Sequence, residues 1–327
     1  MRWRIYLWIL AFVMLAAFSA GSALYIVRAA TKPGPLTQEA VVYITPGTST
    51  RDISNTLKNQ KVIYSSGLFM GVSYWLRREG GLQAGEYAFA PGMSLFDVIR
   101  RIQKGEVYKR RITIPEGLTT YQIVALLNAD PYLSGLIEDV PAEGTLLPET
   151  YQYTRGMTRR SVVNRMEHAM RDQIQTLWSN RPSTFPLKSA HDAVVLASVV
   201  EKETGVASER SRVAGVFFNR LRLGMKLQSD PTVIYAMTKG NGPLGRALAR
   251  ADLQNTDSPY NTYLYAGLPP GPIANPGRES LMAVFAPVVS DDLYFVADGT
   301  GGHAFAKTLD GHNQNVARWR AIRKSAE

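Results

Sequence analysis

The sequence predicts an α+β protein with an N-terminal membrane-spanning helix, a small repeated module and a larger mixed domain. An uncharged apolar segment near the N-terminus, a recurring turn-and-helix pattern and a later mixture of helical and strand patterns without βαβ order lead to this class. We place the N-terminal tip, membrane helix and linker at residues 1–36. The small module covers residues 37–110 and the larger domain residues 111–327.

The first element is the apolar segment at residues 5–27, which contains no charged residue. At about 1.5 Å per residue, a helix of this length crosses a bilayer core of about 30 Å. Small residues at positions 19–23 also fit the cleavage site of a signal peptide. The apolar run resumes at residues 24–27, so we favour a retained anchor. Basic residues flank the segment on both sides and do not decide its orientation.

The next elements repeat. PGTSTRDI at residues 46–53 matches PGMSLFDV at 91–98, and GLTTYQI at 117–123 is a looser third copy. Each copy offers a hydroxyl that can cap a helix and a polar side chain three residues later that can reach back to the cap amide. The caps are Ser49, Ser94 and Thr119, and their partners are Asp52, Asp97 and Gln122. Alternating residues predict a strand before each copy, at residues 41–44, 85–89 and 111–114.

Such units are similar to LysM modules, which are small βααβ folds that bind glycans rich in N-acetylglucosamine. The resemblance implies glycan binding, but a scaffold that positions the larger domain fits the repeat equally well. Exposed aromatic residues would favour glycan binding, and buried ones would belong to the core. The aromatic candidates are Tyr74, Trp75 and Tyr87.

The larger domain continues with helices and a hairpin. Apolar spacing predicts helices at residues 161–178 and 208–223, the second stopped by Gly224. Asp230 followed by proline predicts the capped start of another helix. Strand patterns at residues 293–297 and 303–307 flank a glycine-rich turn, which indicates a hairpin.

Glu201 follows the apolar run at residues 193–200 and precedes Lys202 and Glu203. The apolar run, the negative charge of Glu203 and the end of a helix that Gly205 could terminate would all raise the pKa of Glu201. Glu201 is therefore a candidate proton donor. The alternative is an ordinary solvated helix end, because few carboxyl groups at such positions have perturbed pKa values.

Composition excludes several classes of function. The formal net charge of +10 suggests an anionic partner, but the basic residues are dispersed and match no nucleic-acid-binding motif, so we expect no nucleic acid. The chain has no cysteine, which excludes disulfides and thiolate chemistry. Its four histidines lack metal-ligand spacing. We predict neither a metal nor a cofactor.

Four segments carry a closer resemblance. Residues 196–205, 212–235, 258–277 and 293–313, together with LPETY at 147–151, are similar to the endolytic murein transglycosylases, the YceG-like family. The resemblance is strongest over residues 145–315. It implies cleavage of nascent peptidoglycan strands within their length, by an enzyme anchored in the bacterial inner membrane with its bulk in the periplasm.

The implied reaction needs one carboxyl group. In a lytic transglycosylase the 6-hydroxyl of N-acetylmuramic acid attacks, which leaves a 1,6-anhydro end without consuming water. One carboxyl can donate a proton to the departing oxygen and then accept one from the hydroxyl, if its pKa lies near ambient pH. We assign this role to Glu201. The matching segments supply candidate substrate-binding residues: Asn219, Gln228, Asp230, Tyr260, Asn261, Thr262 and Tyr263, with Glu149 as a further candidate.

Two alternatives stay open. A glycoside hydrolase acting on the same strands would need a second carboxyl group, for which Asp230 and Glu149 are candidates. A non-enzymatic cell-wall protein would hold glycan and contact peptidoglycan synthases, and would not depend on Glu201. Under the transglycosylase interpretation, the anchor could limit the length of the glycan strands.

Overall fold

The computed structural model describes residues 2–77, 80–254 and 257–326. The chain forms two compact units, Met1–Arg110 and Arg111–Glu327. Their secondary structure is mixed α and β, as the sequence predicts.

Helix α1 (Arg2–Thr31) contains the whole apolar segment. By length and composition it can cross a membrane. The prediction of a helix over residues 5–27 is therefore confirmed, with the helix extending one turn beyond the apolar run at its C-terminal end.

The first unit then follows the order β–α–α–β–α. Its elements are β1 (Ala40–Ile44), α2 (Thr50–Asn59), α3 (Ser66–Leu76), β2 (Gly85–Phe89) and α4 (Leu95–Lys104). Strands β1 and β2 are antiparallel, with Ala40 opposite Phe89 and Ile44 opposite Gly85. Tyr87 is fully buried in the core between these strands and the helices, so this candidate for glycan contact is a core residue.

The repeated cap pattern is confirmed at the start of three helices. Ser49, Ser94 and Thr119 each accept a hydrogen bond from the backbone amide three residues later. The preceding turns have glycines at φ +81°, +67° and +72°, which are backbone angles that favour glycine. The repeat therefore encodes a left-handed turn followed by a capped helix.

Only the third copy forms the full reciprocal box that the sequence predicts for all three. Gln122 accepts from the Thr119 amide at 3.0 Å. In the other two copies, the aspartate accepts from the cap hydroxyl at 2.6 Å. A serine hydroxyl can accept from one group and donate to another, and here it binds the carboxylate directly.

The second unit contains helices and, among its described residues, two pairs of short strands. Its elements are β3 (Arg110–Thr113), α5 (Thr120–Ala129), β4 (Thr150–Tyr153), α6 (Arg159–Ser179), α7 (Ala190–Glu203), α8 (Arg210–Arg222), α9 (Asp230–Thr238), α10 (Arg278–Phe285), β5 (Tyr294–Ala297), β6 (His303–Ala306) and α11 (Leu309–Ala326). Strand β3 pairs with β4, and β5 forms the predicted antiparallel hairpin with β6.

Helix α7 lies at the centre of the second unit's core. Every residue from 193 to 200 is buried, and α8 and α10 pack against the helix. Ser189 caps its start and forms a reciprocal box with Asp192. Burial of several valines and a leucine stabilises α7 by about 1.5–3 kcal/mol for each side chain. The C-terminal residues of α7 are consequently held in a fixed position.

Three predicted helix boundaries are wrong in detail. Helix α7 ends at Glu203 with Thr204 in an extended conformation, so Gly205 does not form a left-handed cap. Residues 207–209 form a short 3-10 turn before α8, because Glu209 lies against the hairpin. Ser229 precedes α9, and Asp230 is its first residue rather than its cap.

Candidate active site

The end of α7 carries two carboxyl groups that contact different partners. Glu201 and Glu203 are two residues apart on a helix, so their side chains point in different directions. The two carboxyl groups consequently do not form a pair on one helix face.

Glu201 is fixed by a backbone amide and a guanidinium group. Its Oε2 accepts a hydrogen bond from the Gly277 amide at 3.0 Å, and its Oε1 lies 3.6 Å from Arg210 Nη2. The Glu201 side chain is only 6% exposed. Ser198 on α7 accepts a hydrogen bond from the Ile273 amide, which helps to hold the loop that brings Gly277 to this position.

Arg210 also contacts a second carboxyl group. Its Nη2 lies 3.3 Å from Glu116 Oε2. Burial raises the pKa of Glu116, the negative charge of Glu201 raises it further, and Arg210 lowers it. Glu116, Arg210 and Glu201 thus form a charged cluster in which one cation faces two acids.

Glu203 has the other set of contacts. It accepts a hydrogen bond from the Ser229 hydroxyl, and the residue is partly buried. Burial raises the pKa of Glu203 to about 7. The negative charge of Asp230 adds to the increase, whereas the Ser229 hydrogen bond and the charges of His303 and Arg220 oppose it. A carboxyl group with this pKa can both hold and release a proton near neutral pH.

Asp230 and Tyr263 form a hydrogen-bonded pair beside Glu203. The Tyr263 hydroxyl donates to Asp230 Oδ1 at 2.6 Å. Burial raises the pKa of Tyr263, and the charges of Asp230 and Glu203 raise it further. Tyr263 therefore keeps its proton and can donate only one hydrogen bond, which Asp230 accepts.

His303 reaches the site from strand β6. Its Nδ1 lies 2.6 Å from Glu209 Oε2, and its backbone amide donates to Glu209 Oε1. Arg220, at the end of α8, is held by the carbonyl groups of Leu227 and Leu293, and burial lowers its pKa. Both side chains are thus positioned by the fold before any ligand binds.

The segment before α9 is tied to residues 261–263. The backbone amide of Gln228 donates to the Thr262 carbonyl, and the backbone amide of Ser229 donates to the Thr262 hydroxyl. Gln228 has φ +52°, a left-handed conformation that is strained for this residue type. Asn261 is fully buried, and its side-chain oxygen accepts from the Tyr263 amide. These contacts fix the position of Ser229 relative to Tyr263.

Three predicted substrate-binding residues have structural contacts elsewhere. Asn219 donates to the backbone carbonyls of residues 290 and 292. Tyr260 packs against Tyr235, with ring centroids 5.0 Å apart. Glu149 is 36% exposed and forms an ion pair with Arg278. Among the described contacts, none joins these three residues to Glu203.

No pattern in the sequence singles out Ser229, His303 or Glu209, and Glu203 is identified there only as a neighbour of Glu201. The sequence signal for this site is the apolar run at residues 193–200, which precedes both glutamates and does not distinguish Glu201 from Glu203. Within the described parts of the chain, no group of three or more His, Asp or Glu side chains is arranged to hold a metal ion.

Similarity to known proteins extends over most of the chain. The model of the YceG-like family matches residues 42–318, which include the whole candidate site. The endolytic murein transglycosylase of Bacillus subtilis is 33% identical over 84% of this chain and 82% of its own length. The endolytic murein transglycosylase of Streptococcus pneumoniae is 30% identical over 93% of this chain and 63% of its own length.

A solved structure is also similar. A crystal structure of a YceG-like protein from Listeria monocytogenes superposes with a TM-score of 0.50 at 31% identity, covering 85% of this chain and 99% of that one. The family model and these relatives each span most of the sequence, across both compact units, and on that extent of similarity the chain belongs to the YceG-like family.

Proposed function

We propose that this protein is a lytic transglycosylase that cleaves peptidoglycan strands within their length and leaves 1,6-anhydro-N-acetylmuramic acid ends. Its membership of the YceG-like family and the names of its relatives in Bacillus subtilis and Streptococcus pneumoniae support this activity.

The proton carrier that we propose is Glu203. The apolar run before Glu201 predicts that residue, but its carboxylate accepts a backbone amide and lies beside Arg210. Glu203 instead has a pKa of about 7 and accepts a hydrogen bond from the Ser229 hydroxyl. This raised pKa is the observation that carries the assignment, because a shuttle must exist in both protonation states at the working pH.

The proposed reaction has two proton transfers. Protonated Glu203 donates to the glycosidic oxygen as the bond to C1 of N-acetylmuramic acid breaks. The carboxylate then accepts the proton of the 6-hydroxyl, whose oxygen bonds to C1. No water is consumed, and the carboxyl group ends the cycle protonated.

Neighbouring groups support each stage. The negative charge of Asp230 favours the protonated form of Glu203 before cleavage. The same charge can stabilise an oxocarbenium-like sugar during cleavage. Ser229 donates to the carboxylate form that exists between the two transfers. We propose that Glu201 acts as a positioning residue through Arg210 and Gly277.

A glycoside hydrolase is the second candidate, since Asp230 lies close enough to affect the pKa of Glu203 and could activate a water molecule. Products distinguish the two reactions. A hydrolase leaves reducing ends, whereas a lytic transglycosylase leaves anhydro ends that are lighter by one water.

We further propose that α1 anchors the chain in the inner membrane with the remaining residues in the periplasm. The length and apolar composition of α1 support this location, although a signal peptide meets the same criterion. The β–α–α–β order of the first unit is compatible with a LysM-like module. Peptidoglycan synthases are the expected protein partners of an enzyme that acts on nascent strands.

The test is mass spectrometry of glycan strands incubated with the full chain in detergent, beside Glu203→Gln and Glu201→Gln. We expect anhydro ends from the wild type, none from Glu203→Gln, and a reduced amount from Glu201→Gln. Full activity of Glu203→Gln with inactive Glu201→Gln would reverse the assignment. Reducing ends would favour the hydrolase, and no cleavage would favour a cell-wall binding protein.

A further inference from the structure

Helix α3 contains no charged residue, and its outer face is uncovered by any part of the chain that the structure describes. One face packs into the core of the first unit. The opposite face consists of Gly67, Gly71, Tyr74 and Trp75, and the two aromatic side chains are 78% and 72% exposed. A helix that is apolar on all sides normally has both faces covered.

An apolar groove of about 680 Å³ runs between this face and the last turns of α1. Ile26 and Val27 line one wall, and Gly71, Trp75 and Phe96 line the other. Ile26 and Val27 end the apolar segment for which we propose a bilayer location. The groove would therefore open toward the acyl chains near the membrane surface, where tryptophan and tyrosine are enriched.

A second, polar cavity of about 540 Å³ lies beside the groove. Arg100, Arg101 and Lys104 line it together with Asp97 and Glu106, which leaves one more basic than acidic side chain. Lys104 and Arg101 share Glu106 as their ion-pair partner, at 3.8 and 3.5 Å. The cavity is thus suited to an anion that can replace or extend these contacts.

The groove and the cavity are contiguous at two places. Thr31, the last residue of α1, lines both. The Arg100 guanidinium lies 4.6 Å from the centroid of the Phe96 ring, which is itself a groove residue. An apolar groove beside a basic cavity matches the acyl chain and the charged headgroup of an anionic lipid.

We propose that the junction of α1, α3 and α4 binds an anionic phospholipid of the surrounding leaflet, with an acyl chain in the groove and the phosphate against Arg100 and Lys104. The inference rests on the proposed membrane anchoring of α1. It assigns Trp75 and Tyr74 to the membrane interface.

A glycan strand is the competing occupant, because exposed aromatic side chains can also stack on sugars. Sugar binding requires hydrogen-bonding groups around the ring. Apart from Thr31, the groove walls are formed by aliphatic, aromatic and glycine residues, and one wall belongs to α1. These features favour the lipid.

The first experiment measures the depth of α3 in vesicles. Since the chain has no cysteine, Tyr74→Cys gives the full-length protein a single nitroxide label. We expect the label to collide more with oxygen, which partitions into the bilayer, than with a water-soluble nickel chelate. Asn55→Cys, an exposed position on α2, is the matched control and should favour the nickel chelate.

The second experiment measures the bound lipid. We expect spin-labelled phosphatidylglycerol in the vesicles to show an immobilised fraction with the wild type. Gly71→Leu should abolish that fraction by filling the groove, because a Cβ atom at Gly71 meets nothing within 4 Å. Gly71→Ala, which adds one methyl group, should retain it. Arg100→Gln with Lys104→Gln should remove the preference for phosphatidylglycerol over phosphatidylcholine.

Flotation of the same vesicles separates this inference from the anchoring. Protein that fails to co-float would overturn both. Co-floating protein with a water-exposed label at position 74, or with an immobilised lipid fraction unaffected by Gly71→Leu, would overturn the lipid site alone. Protection of the label only after addition of glycan strands would assign the aromatic face to the glycan instead.

Discussion

Glu201 and Glu203 share a helix end but differ in what their carboxyl groups contact. Glu201 has a backbone amide and Arg210 as partners, and Glu203 has Ser229 and the nearby charge of Asp230. Because a pKa depends on the groups around the carboxyl in space, identical side chains two residues apart can have different chemistry.

The pH dependence of cleavage should follow the pKa of Glu203. If protonated Glu203 starts the reaction, kcat/KM falls as pH rises above about 7. Ser229→Ala removes a hydrogen bond that lowers this pKa, so the falling limb should move to higher pH. Asp230→Asn removes a charge that raises it and should move the limb to lower pH. A limb that moves in the same direction in both variants would contradict the assignment, as measured by anhydro-end formation across pH.

Glu203 should also make the stability of the protein depend on pH. Its pKa is raised in the folded state from 4.5 to about 7, so its contribution to stability is fully present below pH 4.5 and is lost as pH rises through 7. Glutamine does not titrate, so Glu203→Gln has no such loss of stability as pH rises. The variant should therefore gain stability relative to the wild type over this range, by at most about 3 kcal/mol. Thermal unfolding at pH 4.5 and at pH 8 gives the stability of the variant relative to the wild type. The same relative stability at both pH values would contradict the raised pKa of Glu203.

At the scale of elements, α7 positions the site through its burial. Residues 193–200 lie between α8 and α10, so a change in this run affects the position of both carboxyl groups. The hairpin of β5 and β6 brings His303 to the same region, and the segment before α9 brings Ser229. Three elements that are distant in sequence therefore form one site.

Val200→Ala should destabilise the protein by about 2 kcal/mol, because Val200 is fully buried and the smaller side chain leaves a cavity. We expect a melting temperature several degrees lower and reduced activity at elevated temperature. Val289→Ala is the matched control, since Val289 is 98% exposed. Equal melting temperatures for the two variants would contradict the central role of α7 in the core.

At the scale of the whole molecule, the anchoring that we propose would bring the enzyme to strands that emerge at the same membrane. Its reach from the anchor can then influence where a strand is cut. Residues 32–39 connect α1 to β1, and an insertion at residues 32–36 lengthens this connection.

Insertion of about ten flexible residues at positions 32–36 adds at most about 35 Å of reach. We expect longer glycan products, because the active site can then lie farther from the membrane where strands are made. Chromatography of strands from cells that carry the variant measures their length. An N-terminal extension of equal size is the control, and an unchanged length distribution in the insertion variant would argue against length control by the anchor.

The sequence by itself determined the features that arise from neighbours in the chain. Residue order predicts the apolar helix, the caps at Ser49, Ser94 and Thr119, and the hairpin, because these depend on contacts within a few residues. The matching segments likewise identified the family.

Only the tertiary structure distinguished Glu203 from Glu201. Ser229 is 26 residues from Glu203 in sequence, and the contact that joins them depends on how α7 and the segment before α9 pack. The apolar run before the two glutamates indicates burial near the helix end but does not say which carboxyl meets Arg210. Local sequence fixes the type of element, whereas the electrostatic environment of a side chain arises from long-range packing.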